Sequence, residues 1–241
     1  MQPGIFDLTH YEGNAFPYWP YVRTATQRKV EHASSGTYVA PRAGWVVTCL
    51  HGAGGGGGSY ALVGEEAGGG GGGALLIRKF KVMAGWRFVY SVGAKGNGGN
   101  PSGANGGSST LSVYDQYGNL VATQTVTGGT GAPGTGPTPG TGGTYSETTN
   151  IATDQILLKA ANGNAGDAGA TFGNDVGGYG GDTLVRSFDP FDKRLRGIGS
   201  LVNNGATTAA EAIGSGGGGG VGSGIGSNGK DGCFWAVFVP E

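Results

Sequence analysis

Glycine is not scattered through this chain; it is placed by rule. Gly54–Gly58 is an unbroken run of five and Gly68–Gly73 of six, and Gly216, Gly217, Gly218, Gly219 and Gly220 make a second run of five. Elsewhere glycine returns at every third position: 93/96/99, 103/106, 128/131/134/140/143 with Pro137 in the vacant slot, 163/166/169 and 226/229/232. A period of three matches neither the α-helix nor the β-strand. It is the period of the left-handed polyproline II helix, which rises about 3.1 Å per residue and has no internal hydrogen bonds. Its amides and carbonyls must find partners elsewhere. With several such stretches in one chain, the partners available are each other, because glycine lets backbones approach closely. The six-residue run then makes two turns and extends roughly 19 Å. The residues of all three runs are the expected packing positions of these glycine helices.

The competing reading is a set of flexible linkers, since Gly/Ser tracts behave as random coil. Two features oppose it. The glycine stretches alternate with strand-like runs throughout, and long structureless loops between every pair of strands are uncommon in a compact domain. The strand-like runs are Thr37–Ala40, Trp45–Leu50, Ala74–Val82, Arg87–Val92, Thr110–Asp115, Leu120–Thr127, Asp154–Lys159, Asp182–Phe188 and Phe234–Pro240, rich in β-branched and aromatic residues. Gln116-Tyr117-Gly118-Asn119 reads as a hairpin turn. Thr207–Ile213 is the one short helical candidate. The expected fold is mostly β with a bundle of polyglycine-II (polyproline-II-like) helices and little or no α-helix.

Composition narrows function by exclusion. Glycine supplies 56 of 241 residues, against a usual share of about 7%. At that level an ordinary α/β enzyme fold is disfavoured, each interior glycine costing roughly 0.5–1 kcal/mol. Lys and Arg number 15, Asp and Glu 16, for a net charge of −1. There is no basic field for nucleic acid, and no apolar run approaches the length that crosses a membrane. The N-terminus lacks the pattern of a secretory leader, so synthesis in a cytosol or release by lysis is expected. Cys49 and Cys233 lie in or beside apolar runs and read as buried thiols, with a bridge between the first and last core strands as the alternative.

Residues 1–36 differ from the rest: few glycines, many aromatics. Phe16-Pro17-Tyr18-Trp19-Pro20-Tyr21 is stiffened by its prolines. This segment reads as an arm docking to a partner or neighbouring subunit, with Phe16, Tyr18, Trp19 and Tyr21 as anchors and packing back on its own domain as the alternative, and residues 37–241 as a second, glycine-rich domain. Bulky residues in the loops of a backbone-only bundle either cap its ends or face outward. Tyr60, Tyr145, Phe172, Tyr179, Phe188 and Phe191 are therefore the candidate contact residues for a surface ligand.

The stretch from Thr37-Tyr38-Val39-Ala40-Pro41 through Gly44-Trp45-Val46-Val47-Thr48-Cys49-Leu50-His51 to Gly54–Gly58 resembles the opening of the glycine-rich domains at the ends of bacteriophage tail fibres and tail-tip proteins. Gly68–Leu75, Ser91-Val92-Gly93 with Gly96, Gly98 and Gly99, Gly216–Gly220 and the closing Gly229-Lys230-Asp231-Gly232-Cys233-Phe234-Trp235-Ala236-Val237 match in order as well as in kind. The resemblance covers about residues 37–241. Long-tail-fibre adhesins of T-even-like phages are similar in stacking polyglycine helices with variable loops between them. Residues 1–36, the apparent insertion Gly128–Tyr145 and Phe188–Asn204 have no counterpart in the resemblance.

The resemblance implies a non-enzymatic virion protein of the tail, assembled in the host cytoplasm. Residues 1–36 would meet other tail, baseplate or fibre proteins, and the bundle would carry loops to a bacterial surface receptor, protein or glycan; a homotrimer, or else single copies capping a trimeric fibre, is the expected assembly. A baseplate or decoration protein without receptor contact is the alternative.

Motifs for chemistry are weak by comparison. Gly52-Ala53-Gly54-Gly55-Gly56-Gly57 satisfies the dinucleotide pattern, but no helix of useful length follows to hold a pyrophosphate. Gly177-Gly178-Tyr179-Gly180-Gly181-Asp182 fits a single calcium nonapeptide, and such a site needs stacked copies. His10, His32 and His51 are too dispersed for a metal pattern. Glu65, Glu66, Asp189 and Asp192 could form a glycosidase pair only in a rigid sugar cleft. No catalytic residue, cofactor or metal is expected.

Overall fold

A computed structural model describes residues 29–32, 34–59, 67–134, 136–150, 155–169, 180–181, 213–220 and 225–240. Among the described residues, ten strands form two five-stranded antiparallel sheets and no helix occurs. The first sheet runs β1 (Lys29–His32), β10 (Cys233–Pro240), β3 (Gly44–His51), β4 (Leu75–Val82), β9 (Gln155–Ala161). The second runs β2 (Gly36–Val39), β5 (Arg87–Ser91), β6 (Ser109–Tyr114), β7 (Leu120–Val126), β8 (Tyr145–Thr149).

The two sheets close over a common core because their strands alternate. Val46 and Leu50, Leu76 and Phe80, and Phe234, Ala236 and Phe238 point inward from the first sheet. Phe88 and Tyr90, Leu111 and Val113, and Val121, Ala122 and Val126 meet them from the second. Tyr90 stacks on Phe234 at 4.1 Å between ring centroids, and Phe80 meets Phe88 edge-on at 5.6 Å. The first sheet is buried on its other face too, where Val47, Cys49, Leu75, Ile77, Cys233 and Trp235 cluster. Burial on both faces explains why Trp45–Leu50 reads as a continuous apolar run rather than an alternating one. Both cysteines are buried there. Cys49 lies opposite Trp235 and Cys233 opposite His51, so they are not a directly facing pair. At the margin, Arg78 of β4 forms an ion pair with Glu147 of β8 and donates to Gln155 Oε1 of β9 at 3.2 Å, tying the sheets together.

The glycine segments carry the chain away from these strands, and their partners are one another. The run 52–59 donates in a strict cycle of three. Gly52, Gly55 and Gly58 donate to Ala74, Gly71 and Gly68; Ala53, Gly56 and Ser59 to Gly107, Ala104 and Pro101; Gly54 and Gly57 to Lys230 and Ser227. Its carbonyls follow the same cycle. Ala53 and Gly56 accept from Gly129 and Ala132, Gly54 and Gly57 from Gly96 and Gly99, Gly55 and Gly58 from Gly217 and Gly220. Six segments thus surround 52–59. The run 67–74 is surrounded in the same way. Ala67, Gly70 and Gly73 donate to Gly220, Gly217 and Gly214; Gly71 and Ala74 to Thr130 and Thr127; Gly69 and Gly72 to Asp167 and Asn164. It accepts from 52–58, from Gly140 and Gly143, and from Gly181.

Backbones this close leave no room for a side chain. A Cβ built on Gly54 would lie 1.8 Å from the Ser215 carbonyl oxygen, on Gly57 1.9 Å from that of Gly218, and on Gly71 1.9 Å from that of Thr141. The third run is packed as tightly. A Cβ on Gly216 would lie 2.0 Å from the Gly70 oxygen, on Gly217 2.0 Å from that of Ser227, and on Gly219 2.1 Å from that of Ala67. In the outer segments the glycine at every third position is the one that faces a neighbour. A Cβ on Gly96 would meet the Ala104 oxygen at 2.1 Å and one on Gly166 the Gly69 oxygen at 2.2 Å.

Several sequence expectations change. The apparent insertion Gly128–Tyr145 supplies two ordinary bundle segments and the first residue of β8. Two strands, β1 and β8, have no forerunner among the strand-like runs. β1 takes the last part of the segment read as an arm into the first sheet through its pairing with β10. Asp182–Phe188, and Thr207–Ile213 apart from Ile213, lie outside the described residues. Gly70 tests the packing. Its Cβ would fall 2.3 Å from the Gly55 oxygen, with backbone on the opposed side unable to rotate away. Gly70→Ala is expected to destabilise the protein by about 3 kcal/mol or more, read as a lowered thermal midpoint; a flexible linker would tolerate the change.

Candidate functional site: the loop end of the bundle

The hydrogen-bond levels fix the direction of every segment. At one level Gly52, Ala74, Thr127 and Thr144 are linked in series, each next to the end of a strand. At the opposite level Gly58 bonds Gly68, Ser59 bonds Pro101, Ala67 bonds Gly220, Gly226 bonds Gly99 and Gly169 bonds Pro137. The segments 52–59, 67–74, 93–99, 103–108, 127–134, 137–144, 162–169 and 225–232 therefore each run between a strand of the sandwich at one end and the far end of the bundle at the other. Among the described residues, five connections leave that far end, after Ser59, Gly99, Ala132, Gly169 and Gly220. Asn100, Pro101, Ser102 and Pro133 are exposed, as is Ile225 at 63%.

The first described strand begins on the other side. β1 is antiparallel to β10, with Lys29 opposite Val237 and His32 opposite Phe234. Because β10 starts at the bundle, Lys29 lies toward the end of the sandwich remote from the loops. Pro240, opposite Gly44, lies there as well.

The predicted contact residues divide accordingly. Tyr145 is 41% exposed but begins β8 opposite Val126, at the sandwich end of the bundle and away from the five connections. Tyr60, Phe172, Tyr179, Phe188 and Phe191 lie outside the described residues, as do the arm residues Phe16, Tyr18, Trp19 and Tyr21. So do His10, Glu65, Glu66, Asp189 and Asp192. Of the single calcium-type motif, only Gly180 and Gly181 are described, and both are buried. The glycines of the first two runs, 54–58 and 68–73, belong to the bundle, and so do Gly216, Gly217, Gly218, Gly219 and Gly220 of the third; all of them are buried. The dinucleotide-like stretch Gly52–Gly57 has every amide already donating to a neighbouring segment, so none is left to cradle a pyrophosphate.

Sequence reasoning missed two features. The first is a set of short oxygen-bearing side chains that close the seams between outer segments. Where two such segments lie side by side, the amides of one reach its neighbour's carbonyls, and side chains of the donating segment take the amides left over. Gly98 donates to Asn228 Oδ1 at 2.8 Å, Lys95 to Asp231 Oδ1 at 2.8 Å and Gly131 to Asn105 Oδ1 at 2.9 Å. Gly134 donates to Ser102 Oγ, and Thr141 and Thr144 to the hydroxyls of Thr130 and Thr127. The non-glycine positions of the repeat are thus chosen for their acceptors.

The second feature is His51, at the joint between sandwich and bundle. Its ring is buried, its Nδ1 donates to the Gly52 carbonyl at 2.8 Å, and its Nε2 has no hydrogen-bond partner. Gly214, at φ +70°, passes so close that a Cβ there would lie 2.3 Å from the ring. Burial drives the imidazole pKa from 6.5 down to about 4, the Gly52 hydrogen bond opposing part of the shift.

No protein-family model matches the sequence, and no curated protein matches it at a significant level. Among the described residues no helix is long and apolar enough to cross a membrane, and no cluster of three or more His, Cys, Asp or Glu is suited to a metal.

His51 yields a pH prediction. Its pKa is lower in the folded state, so the unfolded chain binds the proton first. Stability contributed by the neutral ring is complete above pH 6.5 and is lost as pH falls toward 4. The loss is on the order of 3 kcal/mol, and His51→Gln should flatten that part of a denaturation-midpoint-against-pH curve.

Proposed function

We propose that the protein is a receptor-binding tip of a bacteriophage tail or tail fibre, and that its glycine segments are polyglycine-II helices. The helix reading is supported by partners that change in a cycle of three along 52–59 and 67–74, the repeat of such a helix. The functional reading rests on the ordered resemblance to phage tail-tip domains together with one observation, the polarity of the molecule. Among the described residues, five connections leave one end of the bundle, while the first described strand begins at the far end of the sandwich.

A rigid bundle suits loops that meet a cell surface, because fixing them beforehand lowers the ordering cost of contact. Several copies on one particle make weak sites effective together. The aromatic arm joins the protein to the tail or baseplate, and the loop end faces a surface protein or glycan. No catalysis is required of it.

Purified protein should compete with phage for adsorption to the host. A chain lacking residues 1–28 should stay folded and still compete, yet fail to enter the particle. Unchanged adsorption at saturating protein would overturn the receptor-binding role and leave a baseplate or decoration component instead.

A further inference from the structure

The bundle makes two demands on sequence: glycine where a segment backs onto a neighbour, and short oxygen-bearing side chains at the seams. Asn-Gly occurs in the bundle at Asn97-Gly98, Asn105-Gly106, Asn162-Gly163 and Asn228-Gly229, and at 105 and 228 the asparagine closes a seam. This dipeptide is chemically fragile. The backbone nitrogen of the glycine, on losing its proton, attacks Cγ of the asparagine. The new N–Cγ bond closes a succinimide as the Cγ–Nδ2 bond breaks and ammonia leaves. Water then opens the ring at either carbonyl, leaving aspartate or isoaspartate.

The lattice opposes this chemistry by engaging the attacking nitrogen. Gly106 donates to the Gly129 carbonyl, Gly163 to that of Gly143 and Gly229 to that of Gly96, each at 2.9 Å. Gly98 is the exception. Its amide is held by a side chain, Asn228 Oδ1, at 2.8 Å. Asn97 is exposed and Asn228 half-buried. Position 98 cannot escape by becoming another residue, because a Cβ there would lie 1.8 Å from the Gly226 oxygen.

We propose that Asn97 is a site of spontaneous deamidation and that the carboxamide of Asn228 is the positioning group that holds the reaction off. Isoaspartate at 97 adds a backbone carbon to segment 93–99. It moves Gly99 out of step with the Gly57 carbonyl, one level from the loop end. The two asparagines are therefore coupled: a cap on one segment sets the chemical lifetime of the next.

The test is peptide-resolved mass spectrometry of the full-length protein aged in mildly alkaline buffer, with these four of the chain's five Asn-Gly dipeptides (the fifth is Asn204-Gly205) read in the same sample. In the wild type, Asn97 should convert before Asn105, Asn162 and Asn228. Asn228→Ala should speed conversion at Asn97 by at least about fivefold, since a lone amide opens more easily than a lattice one, and leave Asn105 and Asn162 unchanged. Asn228→Asp keeps an acceptor oxygen and should stay near the wild-type rate. The proposal is overturned if Asn97 is no faster than the other three in the wild type. It is equally overturned if Asn228→Ala leaves Asn97 unaltered or raises all sites together, or if Asn228→Asp behaves like the alanine variant.

Discussion

Everything in this molecule depends on one interaction, the hydrogen bond from a backbone amide of one glycine segment to a carbonyl of the next. A buried amide left without a partner costs about 1–3 kcal/mol, whereas a made bond contributes a net 0.5–1.5 kcal/mol. A bundle of bare backbone is therefore stable only when nearly every group is paired. Runs 52–59 and 67–74 meet that condition by having six neighbouring segments each. The close approach that makes it possible leaves no room for a Cβ at most positions, Gly54, Gly55, Gly56, Gly57, Gly68, Gly70, Gly71 and Gly73 among them, which is why the runs are nearly pure glycine where they are surrounded.

Such a bundle is expensive to order, because glycine loses more backbone freedom on folding than any other residue. The sandwich offsets that cost. β3 leads into 52–59, β4 follows 67–74, β7 leads into the segment after Val126, and β10 follows Gly232. A core of Phe80, Phe88, Phe234, Leu50 and Leu111 fixes these strand ends, so each glycine segment starts with one end already held in register. His51 sits at that joint, where a side-chain core gives way to a backbone core. At the bundle surface Asn105, Asn228, Asp231, Ser102, Thr127 and Thr130 finish the pairing that carbonyls leave incomplete.

Much of this is legible in the sequence because the constraint is periodic. Glycine at every third position announces segments that back onto neighbours, and the apolar strands β3, β4, β5, β6, β7 and β10 stand within a residue or so of their expected ends. What escapes depends on tertiary placement. Tyr145–Thr149 is exposed along its whole length and carries no hydrophobic alternation; it is a strand because Val126 and its neighbours pair with it. Lys29–His32 is charged and short and is ordered through β10. Tyr145 reads as a contact residue because it follows a glycine segment, yet the direction of that segment puts it at the sandwich. The gathering of five connections at one end follows from the sense of each segment, which no local pattern reveals. The seam-closing asparagines look like ordinary loop residues until their neighbours are known.

Amide hydrogen exchange across the glycine runs tests the central claim most directly. If the runs are a hydrogen-bonded core, the amides of 52–58 and 67–74 should exchange as slowly as those of β3 and β4, through global unfolding alone. Exchange of those glycine amides at unprotected rates, with β3 and β4 still protected, would contradict the account.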